Sequence, residues 1–393
     1  MMKKTRWFRF LFRTLSYVLV AAVSAAVALA LWSDPASKLS ELEQIINDRF
    51  IGQADMDVAK DAAADAMVNA LGDRWSYYIS AQEYAAYLEN KNNAYVGIGI
   101  TIVVREDGSG FDILEVTPGG SAQEAGILPG DILVEAEGKP VQENNADEVK
   151  NIIRGEAGTF VTVAVLRNGE KITYNLERRN IKVEVAAGEL LPGNIGLIRI
   201  ANFNTNCATE TLAVIESLRQ QGADKLIFDV RNNPGGYVKE MIKVLDYLLP
   251  EGVLFRELDN FGNSDEERSD EACLELPMAV LVNGNSYSAA EFFAAALDEY
   301  NWATVVGEQT TGKGYYQNTI MLSDGSAVNL STGKYFTPNG KNLSEEGGLK
   351  PDVEVPVDGE TAALIYAQAI PAEEDPQILA AVAVLQKNAD KNS

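Results

Sequence analysis

MAVLVNGNSYSAAEFFAAALDEYNWATVVG, residues 278–307, carries the pattern that decides the fold of this chain. The apolar run MAVLVN is typical of a buried strand, AAEFFAAALDEY is typical of a helix, and ATVVG is typical of a second strand. The turn NSYS joins the first strand to the helix. Two strands separated by a helix of this length imply a crossover connection, so we expect a parallel pair.

The same alternation of strands and helices begins near residue 196 and continues through the turn RNNPGG, residues 231–236. The strands GLIRI and KLIFDV precede this turn, and the helix YVKEMIKVLDYLL follows it. Ligand chemistry on open parallel sheets gathers outside the carboxyl ends of the strands. Both RNNPGG and NSYS lie at such ends, in an α/β domain that we predict over residues 181–358. The acidic run at 259–275 is interpreted as a surface loop.

Composition excludes several functions. The chain has 393 residues and no histidine, so a Ser-His-Asp triad is impossible, and a serine nucleophile would need lysine, a carboxylate, tyrosine or a metal to activate it. The formal net charge of -24 argues against a nucleic-acid partner, because phosphate binding needs a basic face. With so few nitrogen and sulfur ligands, neither a metal nor another cofactor is expected. Whether Cys207 and Cys273 form a disulfide stays open.

The first 33 residues have the pattern of a membrane anchor. Residues 14–33 carry no charge and approach the ~20 apolar residues that a membrane helix needs. They follow a basic flank consisting of Lys3, Lys4, Arg6, Arg9 and Arg13. This flank predicts a cytoplasmic N-terminus, a single span of the cell membrane and an extracytoplasmic location for the rest. The alternative is a secreted protein whose signal peptide is cleaved after Ala28-Leu29-Ala30.

Three other regions differ in texture. Residues 34–94 are interpreted as a helical segment, because KLSELEQIINDRF places its apolar residues at helical spacing and Ser80 is a predicted N-cap. Residues 95–180 contain short β-branched runs such as YVGIGITIVV, with two short helices between them, and indicate a compact β-rich domain. Residues 359–393 are predicted to be a helical tail. The two helical regions offer surfaces through which the chain could form a homodimer.

A lysine can act as the base if it is largely desolvated, because burial favours the neutral amine. Lys313 lies in GEQTTGKGYYQ, residues 307–317, between two glycines that permit a tight turn. Such a turn taken alone is most often a surface loop. Ser286 or Ser288 taken alone would most often be the N-cap of a helix.

The stretch Ser286-Tyr287-Ser288-Ala289-Ala290-Glu291 resembles the nucleophile turn of the C-terminal processing peptidases, the tail-specific serine endopeptidases of family S41. The resemblance implies Ser288 as the nucleophile, Lys313 as its general base and Gln317 as the residue that assists the lysine. The stretch IFDVRNNPGG resembles a second turn of the family. It implies an oxyanion hole formed by the N–H groups of Ala289 and of Gly235 or Gly236, in a protease core of the ClpP/crotonase type.

The β-rich region resembles a PDZ domain of the permuted bacterial type. VGIGI is similar to the carboxylate-binding loop, which implies peptide-binding roles for Gly97, Ile98, Gly99 and Ile100. TPGGSAQEAGILPGDILVEAEGKPV is similar to the rest of the PDZ pattern. The implied partners are proteins with exposed C-terminal tails, bound as an added strand. Arg154 corresponds to an arginine that couples PDZ occupancy to the active site in some relatives; a solvated cation at a helix end is the alternative.

The resemblance therefore implies a membrane-anchored, extracytoplasmic serine endopeptidase that recognises C-terminal tails. One alternative is an inactive PDZ scaffold that binds tails without cutting them; the intact set of Ser288, Lys313 and Gln317 counts against it. Another is an enzyme of the enoyl-CoA hydratase type on a related core, and the PDZ domain counts against that one. Three substitutions depart from the family pattern: Tyr287, Ala290 and Thr311.

Overall fold

The computed structural model of the protein describes residues 38–105 and 107–392, with side chains up to residue 387. The predicted membrane anchor, residues 1–33, lies outside the described residues. Within the described ranges, every helix is too short or too polar to cross a membrane. The chain divides into two compact units, one ending at Gly72 and the other beginning at Asp73.

The helices are α1 (Lys38–Arg49), α2 (Met56–Asn69), α3 (Ala81–Lys91), α4 (Ser121–Glu124), α5 (Ala146–Ile153), α6 (Cys207–Gln220), α7 (Val238–Leu248), α8 (Ala289–Glu299), α9 (Leu343–Glu346), α10 (Gly359–Tyr366) and α11 (Pro376–Asn392), with a 3₁₀ turn at Glu143–Asn145. The first unit contains α1 and α2. At the start of α3, the predicted N-cap Ser80 is confirmed by a capping box, in which its hydroxyl accepts from the Glu83 N–H and the Glu83 carboxylate accepts from the Ser80 N–H.

The strands are β1 (Tyr77–Ile79), β2 (Ala94–Gly97), β3 (Ile100–Val104), β4 (Phe111–Val116), β5 (Ile132–Ala136), β6 (Lys139–Pro140), β7 (Phe160–Arg167), β8 (Glu170–Glu177), β9 (Arg179–Lys182), β10 (Ala186–Leu191), β11 (Ile195–Ile200), β12 (Lys225–Asp229), β13 (Gly252–Asp259), β14 (Ser264–Ser269), β15 (Met278–Val282), β16 (Ala303–Gly307), β17 (Tyr315–Met321), β18 (Ala327–Phe336) and β19 (Val353–Glu354). All of them belong to the second unit.

The β-rich region is an antiparallel sheet in the order β3-β4-β5-β7-β8, with β6 paired to β5. Alternating apolar residues of these strands, among them Phe111, Leu133 and Val163, pack with Val149 of α5 in a separate core. The chain enters and leaves this region through the antiparallel pair β2–β9. Among the strands that the structure describes, β3 pairs only with β4, so its other edge is open beside α5.

The α/β alternation predicted from the sequence is confirmed. A six-stranded sheet has the order β10-β11-β12-β15-β16-β19, and all its neighbours from β11 onward are parallel. Its central strands are buried on both faces, which explains why KLIFDV and MAVLVN are continuous apolar runs without alternation. One face packs against α11, where Ile378 and Leu385 contact the sheet core.

A second sheet consists of β1, β13, β14, β17 and β18, with β18 paired to β1, β13 and β17. Part of the interpretation of the acidic run 259–275 as a loop was wrong, because residues 264–269 form β14. This strand is exposed and lies at the sheet edge, where Glu266 pairs with Arg256 of β13. Residues 77–79, placed in the helical segment by the sequence, form β1 on the same sheet.

Helix α8 lies between the two sheets and is almost wholly buried. Phe293 contacts the rings of Phe203 and Phe228 on the side of the parallel sheet, each with centroids 5.4 Å apart. Phe292 contacts Phe255 and Tyr335 on the other side, also at 5.4 Å. Because both faces of α8 are packed, the turn at its N-terminus is held by the core.

Candidate active site

Ser288 lies between β15 and α8 with a strained backbone, φ 59° and ψ -129°. The turn that carries it is bonded to the turn after β12. The Tyr287 N–H donates to the Asn233 carbonyl at 3.2 Å, and the Ser286 hydroxyl donates to the Val230 carbonyl at 2.7 Å. The two turns that the sequence placed at the carboxyl edge of the sheet are therefore in direct contact.

The RNNPGG turn is fixed by a buried ion pair. The Arg231 guanidinium donates to the two carboxylate oxygens of Asp229, at 2.9 and 2.6 Å, and to Asp375 at the start of α11, at 3.1 Å. Arg231 is 8% exposed, so these charge-assisted bonds are largely shielded from water. They hold the end of β12 in place beside Ser288.

Both glycines of this turn are required by close packing. A Cβ on Gly235 would lie 2.8 Å from the Ser288 Cβ, and one on Gly236 would lie 2.3 Å from the Phe203 carbonyl carbon. The Gly235 N–H donates to the Asn233 side chain at 2.8 Å. Within the described ranges, the Gly236 N–H has no hydrogen-bond acceptor. Of the two glycines, Gly236 therefore has the N–H that is available to a ligand.

Glu291 connects the nucleophile turn to the lysine turn. It is fully buried, and its carboxylate accepts hydrogen bonds from the backbone N–H groups of Ser288 at 2.9 Å, Gly312 at 2.6 Å and Lys313 at 2.8 Å, and from the Thr310 hydroxyl at 2.5 Å. Burial raises the pKa of Glu291, and the four hydrogen bonds oppose that rise. One carboxylate therefore fixes the backbone of both predicted catalytic residues.

Lys313 and Ser288 line one cavity of about 880 Å³. The Lys313 ammonium lies 4.5 Å from the centre of the Trp75 ring and 5.9 Å from that of Tyr287. Burial, with the charge of Lys91 second, lowers the pKa of Lys313 from its ordinary value of 10.5 to about 8. Roughly one molecule in ten therefore carries a neutral amine at pH 7.

The three predicted catalytic side chains lie around this cavity but do not form a continuous chain of hydrogen bonds. Within the described residues, no hydrogen bond joins Lys313 Nζ to Ser288 Oγ. The Gln317 amide donates to the Ser331 hydroxyl at 3.0 Å and to the Tyr315 carbonyl at 3.1 Å. Its carbonyl oxygen is left to accept from another group. Such loose contacts are common in sites without substrate.

The sequence did not single out the loop that covers Lys313. Asp73 accepts from the Ser76 hydroxyl at 2.6 Å and from the Trp75 N–H at 3.1 Å, and this arrangement holds the indole over the lysine. Its negative charge opposes the fall in the Lys313 pKa. The aromatic residues in LGDRWSYYIS could have marked this loop as a candidate wall of the site, because Trp75 is one of only four tryptophans in the sequence. Nothing in the local pattern, however, links Trp75 to Lys313, which is distant in sequence.

A second cavity, of about 270 Å³, lies between β3 and α5. Its walls include all four residues predicted to bind peptides: Gly97, Ile98, Gly99 and Ile100. Arg154 also lines it, and its guanidinium lies 3.3 Å from the Glu89 carboxylate of α3 and 5.6 Å from the Tyr95 ring centre. The apolar groove thus has Arg154 at its edge. Arg154 contacts α3, and other residues of α3 line the cavity that contains Ser288 and Lys313.

Cys207 and Cys273 are both free. Burial raises the pKa of the Cys207 thiol to about 12, so this cysteine is a poor nucleophile. In the ranges that the structure describes, no group of three or more potential metal ligands lies together.

A strained serine at a helix N-terminus, a lysine of lowered pKa in the same cavity and an adjacent glycine turn are typical of serine hydrolases that use lysine in place of histidine. Comparison with known proteins identifies the family. The model of peptidase family S41 matches residues 194–355, and that of the PDZ domain matches residues 113–167. A Staphylococcus aureus (strain COL) protein named "Probable CtpA-like serine protease" is 30% identical over 367 residues, covering 89% of this chain and 73% of that protein.

A Staphylococcus epidermidis (strain ATCC 12228) relative of the same name is 28% identical, covering 90% of this chain and 74% of the relative. The solved structure of a Bacteroides fragilis NCTC 9343 protein named "Putative S41 protease" is 16% identical with a TM-score of 0.53, covering 82% of this chain and 90% of that one. The photosystem II D1 C-terminal processing protease is 26% identical with a TM-score of 0.47, covering 87% and 93%. The chain belongs to peptidase family S41. It is a serine-type endopeptidase with a PDZ domain.

Proposed function

We propose that the protein cuts substrates whose C-terminal tails bind its PDZ groove, and that it does so with a Ser288–Lys313 dyad. The observation that carries this proposal is the placement of Lys313, with a pKa of about 8, in the same cavity as Ser288. A neutral amine is the form that accepts a hydroxyl proton. The hydrogen bonds of Glu291 to both turns support the pairing, since they fix the two backbones relative to each other.

In the proposed reaction, Lys313 turns from the Trp75 ring toward Ser288 and accepts its proton. The Ser288 oxygen then attacks the substrate carbonyl carbon, and the ammonium of Lys313 gives the proton to the leaving amine. Water completes the cycle by hydrolysing the acyl-enzyme, with Lys313 again as the base. The carbonyl oxygen of Gln317 accepts a hydrogen bond from the lysine and orients it.

For the oxyanion hole we propose the N–H groups of Ala289 and Gly236. Ala289 is the first residue of α8, where backbone N–H groups have no partner within the helix. The Gly235 N–H already donates to Asn233, which leaves Gly236 as the available donor of the glycine pair. Gly235 instead serves by lacking a side chain where Ser288 approaches.

Tail recognition is proposed to occur at the open edge of β3. A peptide would pair with this strand and place its terminal carboxylate against the loop formed by Gly97, Ile98, Gly99 and Ile100. The Ile98 carbonyl accepts from the Ala122 N–H at 3.0 Å, which supports a preformed loop. Arg154 is proposed to couple occupancy of the groove to the active site, because its partner Glu89 is on α3.

The remaining proposals depend on the sequence. Residues 14–33 are proposed to anchor the protein in the cell membrane with its bulk outside the cytoplasm, and a homodimer is proposed through the helical regions. We further propose a permuted PDZ domain at 95–180 and a ClpP/crotonase-type core at 181–358, flanked by the helical segment 34–94 and the tail 359–393.

The test uses the full-length protein, its Ser288→Ala variant and its Lys313→Met variant. Each is incubated with an unfolded protein that ends in either an apolar or a charged tail. We expect cleavage by the wild type only, and faster cleavage for the apolar tail. Cleavage by Ser288→Ala would refute the nucleophile. Binding of tails by the wild type without cleavage would instead favour the scaffold.

A further inference from the structure

The active-site cavity contains a second lysine that the proposed reaction does not use. Lys91 is the last residue of α3 and lines the cavity together with Ser288 and Lys313. Its ammonium lies between two aromatic rings, 5.7 Å from the centre of Tyr87 and 5.6 Å from that of Tyr237. A half-buried lysine in this position requires an explanation.

Among the described residues, Lys91 has no compensating negative charge. Burial alone lowers the pKa of Lys91, without any contribution from a carboxylate. Within the described part of the chain its ammonium forms no ion pair, although acidic residues outnumber basic ones by 57 to 33 in the whole sequence. Partly desolvated cations are normally paired, because an unpaired one is costly. The site is therefore electrostatically complementary to an anion that arrives with a ligand.

Asn204, which is beside the end of α3, has a buried and unsatisfied acceptor. Asn204 is 4% exposed, and its side-chain carbonyl oxygen has no hydrogen-bond partner among the described residues. Its amide nitrogen donates to the Asn90 carbonyl, directly before Lys91, at 3.1 Å. This bond fixes the end of α3 that carries Lys91, so the ammonium is held where a substrate residue with an anionic side chain would pair with it.

The part of the cavity around Lys91, Tyr87 and Tyr237 is close to Ser288, where the scissile bond of a substrate would lie. Tyr237 follows Gly236 directly, and Gly235 approaches Ser288 so closely that a Cβ would lie 2.8 Å from the serine Cβ. Two residues span at most roughly 7 Å. An extended substrate, which advances ~3.3 Å per residue, would thus bring a side chain to Lys91 within about four residues of the bond that is cut.

We propose that Lys91 is a specificity-determining residue that binds an acidic side chain of the substrate near the scissile bond. This inference rests on the proposed peptidase function. It gives the cavity a selectivity that is separate from tail recognition by the PDZ groove. Because the pair would be partly shielded from water, its contribution exceeds that of a surface ion pair.

The test uses pairs of fluorogenic peptides with the same apolar tail. The two peptides of a pair, here called twins, differ at one position, which is Glu in one and Gln in the other, and a pair is made for each position within about four residues of the scissile bond. At one position, the wild type should cleave the Glu peptide with a kcat/KM at least ~10-fold higher, equivalent to about 1.4 kcal/mol. Lys91→Met should abolish this preference and Lys91→Arg should retain it. Lys239→Gln is the matched control, because Lys239 is exposed and outside the cavity.

Binding of the same twins to the Ser288→Ala variant, measured by fluorescence anisotropy, separates the two proposals. If the wild type cuts nothing, the peptidase proposal fails, but a Glu preference that disappears in Ser288→Ala/Lys91→Met still supports Lys91. Equal binding and cleavage of both twins by the wild type would overturn the inference. So would a Glu preference that persists in Lys91→Met.

Discussion

Raising the pH from about 6 to about 10 should convert Lys313 from the ammonium to the free amine, and peptide cleavage should increase with that conversion. At a pKa of about 8, roughly one molecule in ten has a neutral Lys313 at pH 7. At the ordinary value of 10.5, only about one in 3,000 would. Burial in the cavity thus enlarges the reactive population roughly 300-fold.

The assay is kcat/KM against pH, with a peptide that carries no group titrating in this range. The rate should rise roughly tenfold per unit at low pH and level off above about pH 9. Lys91→Met removes a repelling charge and should move the midpoint upward, whereas Asp73→Asn removes an attracting charge and should move it downward. A pH-independent rate, a midpoint near 10.5 or shifts of the same sign in both variants would refute the role of Lys313 as the base.

Other outcomes follow from the same contacts. Lys313→Met should increase the free energy of unfolding by on the order of 1–3 kcal/mol below pH 8, because the buried ammonium of Lys313 destabilises the folded state there. The gain should vanish above about pH 10.5, where lysine is neutral in the folded and the unfolded chain, and urea titrations at both pH values check it. Glu291→Gln should destabilise by on the order of 3 kcal/mol, measured in the same way, since an amide nitrogen cannot accept from the buried N–H groups. Gly235→Ala should lower kcat/KM at least ~100-fold by displacing Ser288, while binding of a tail peptide stays unchanged. Arg154→Ala should change the stimulation of cleavage by an added tail peptide; if basal and stimulated rates both match wild type, the coupling role is wrong.

The sequence predicts those features that depend on local patterns. The strands that lead into the glycine turn and the serine turn, β12 and β15, are continuous apolar runs, and their burial on both faces of the parallel sheet explains why. The roles of Ser288 and Lys313 were implied by the family resemblance, because each turn taken alone is typical of a helix cap or a surface loop. Glu291 connects those turns, and its position in the motif is explained by the four donors that it accepts.

Features created by contacts distant in sequence could not be predicted. Trp75 lies against Lys313, and Arg231 binds Asp375 from 144 positions away, yet neither pair belongs to a periodic pattern. β14 escaped prediction because its exposed, charged residues look like a loop, and only its pairing with β13 makes it a strand. The surroundings of Lys91 could not be predicted either, because Tyr237 and Asn204 reach α3 only in the folded chain.

The most direct test of the proposed dyad is covalent labelling with a fluorophosphonate, followed by mass spectrometry of the labelled peptide. The reagent reacts with an activated serine, so it reports the nucleophile without the need for a substrate. We predict a single adduct on Ser288 in the wild type at pH 9, with strongly reduced labelling in Lys313→Met. Labelling of another residue, or equal labelling of Ser288 in both proteins, would contradict the account.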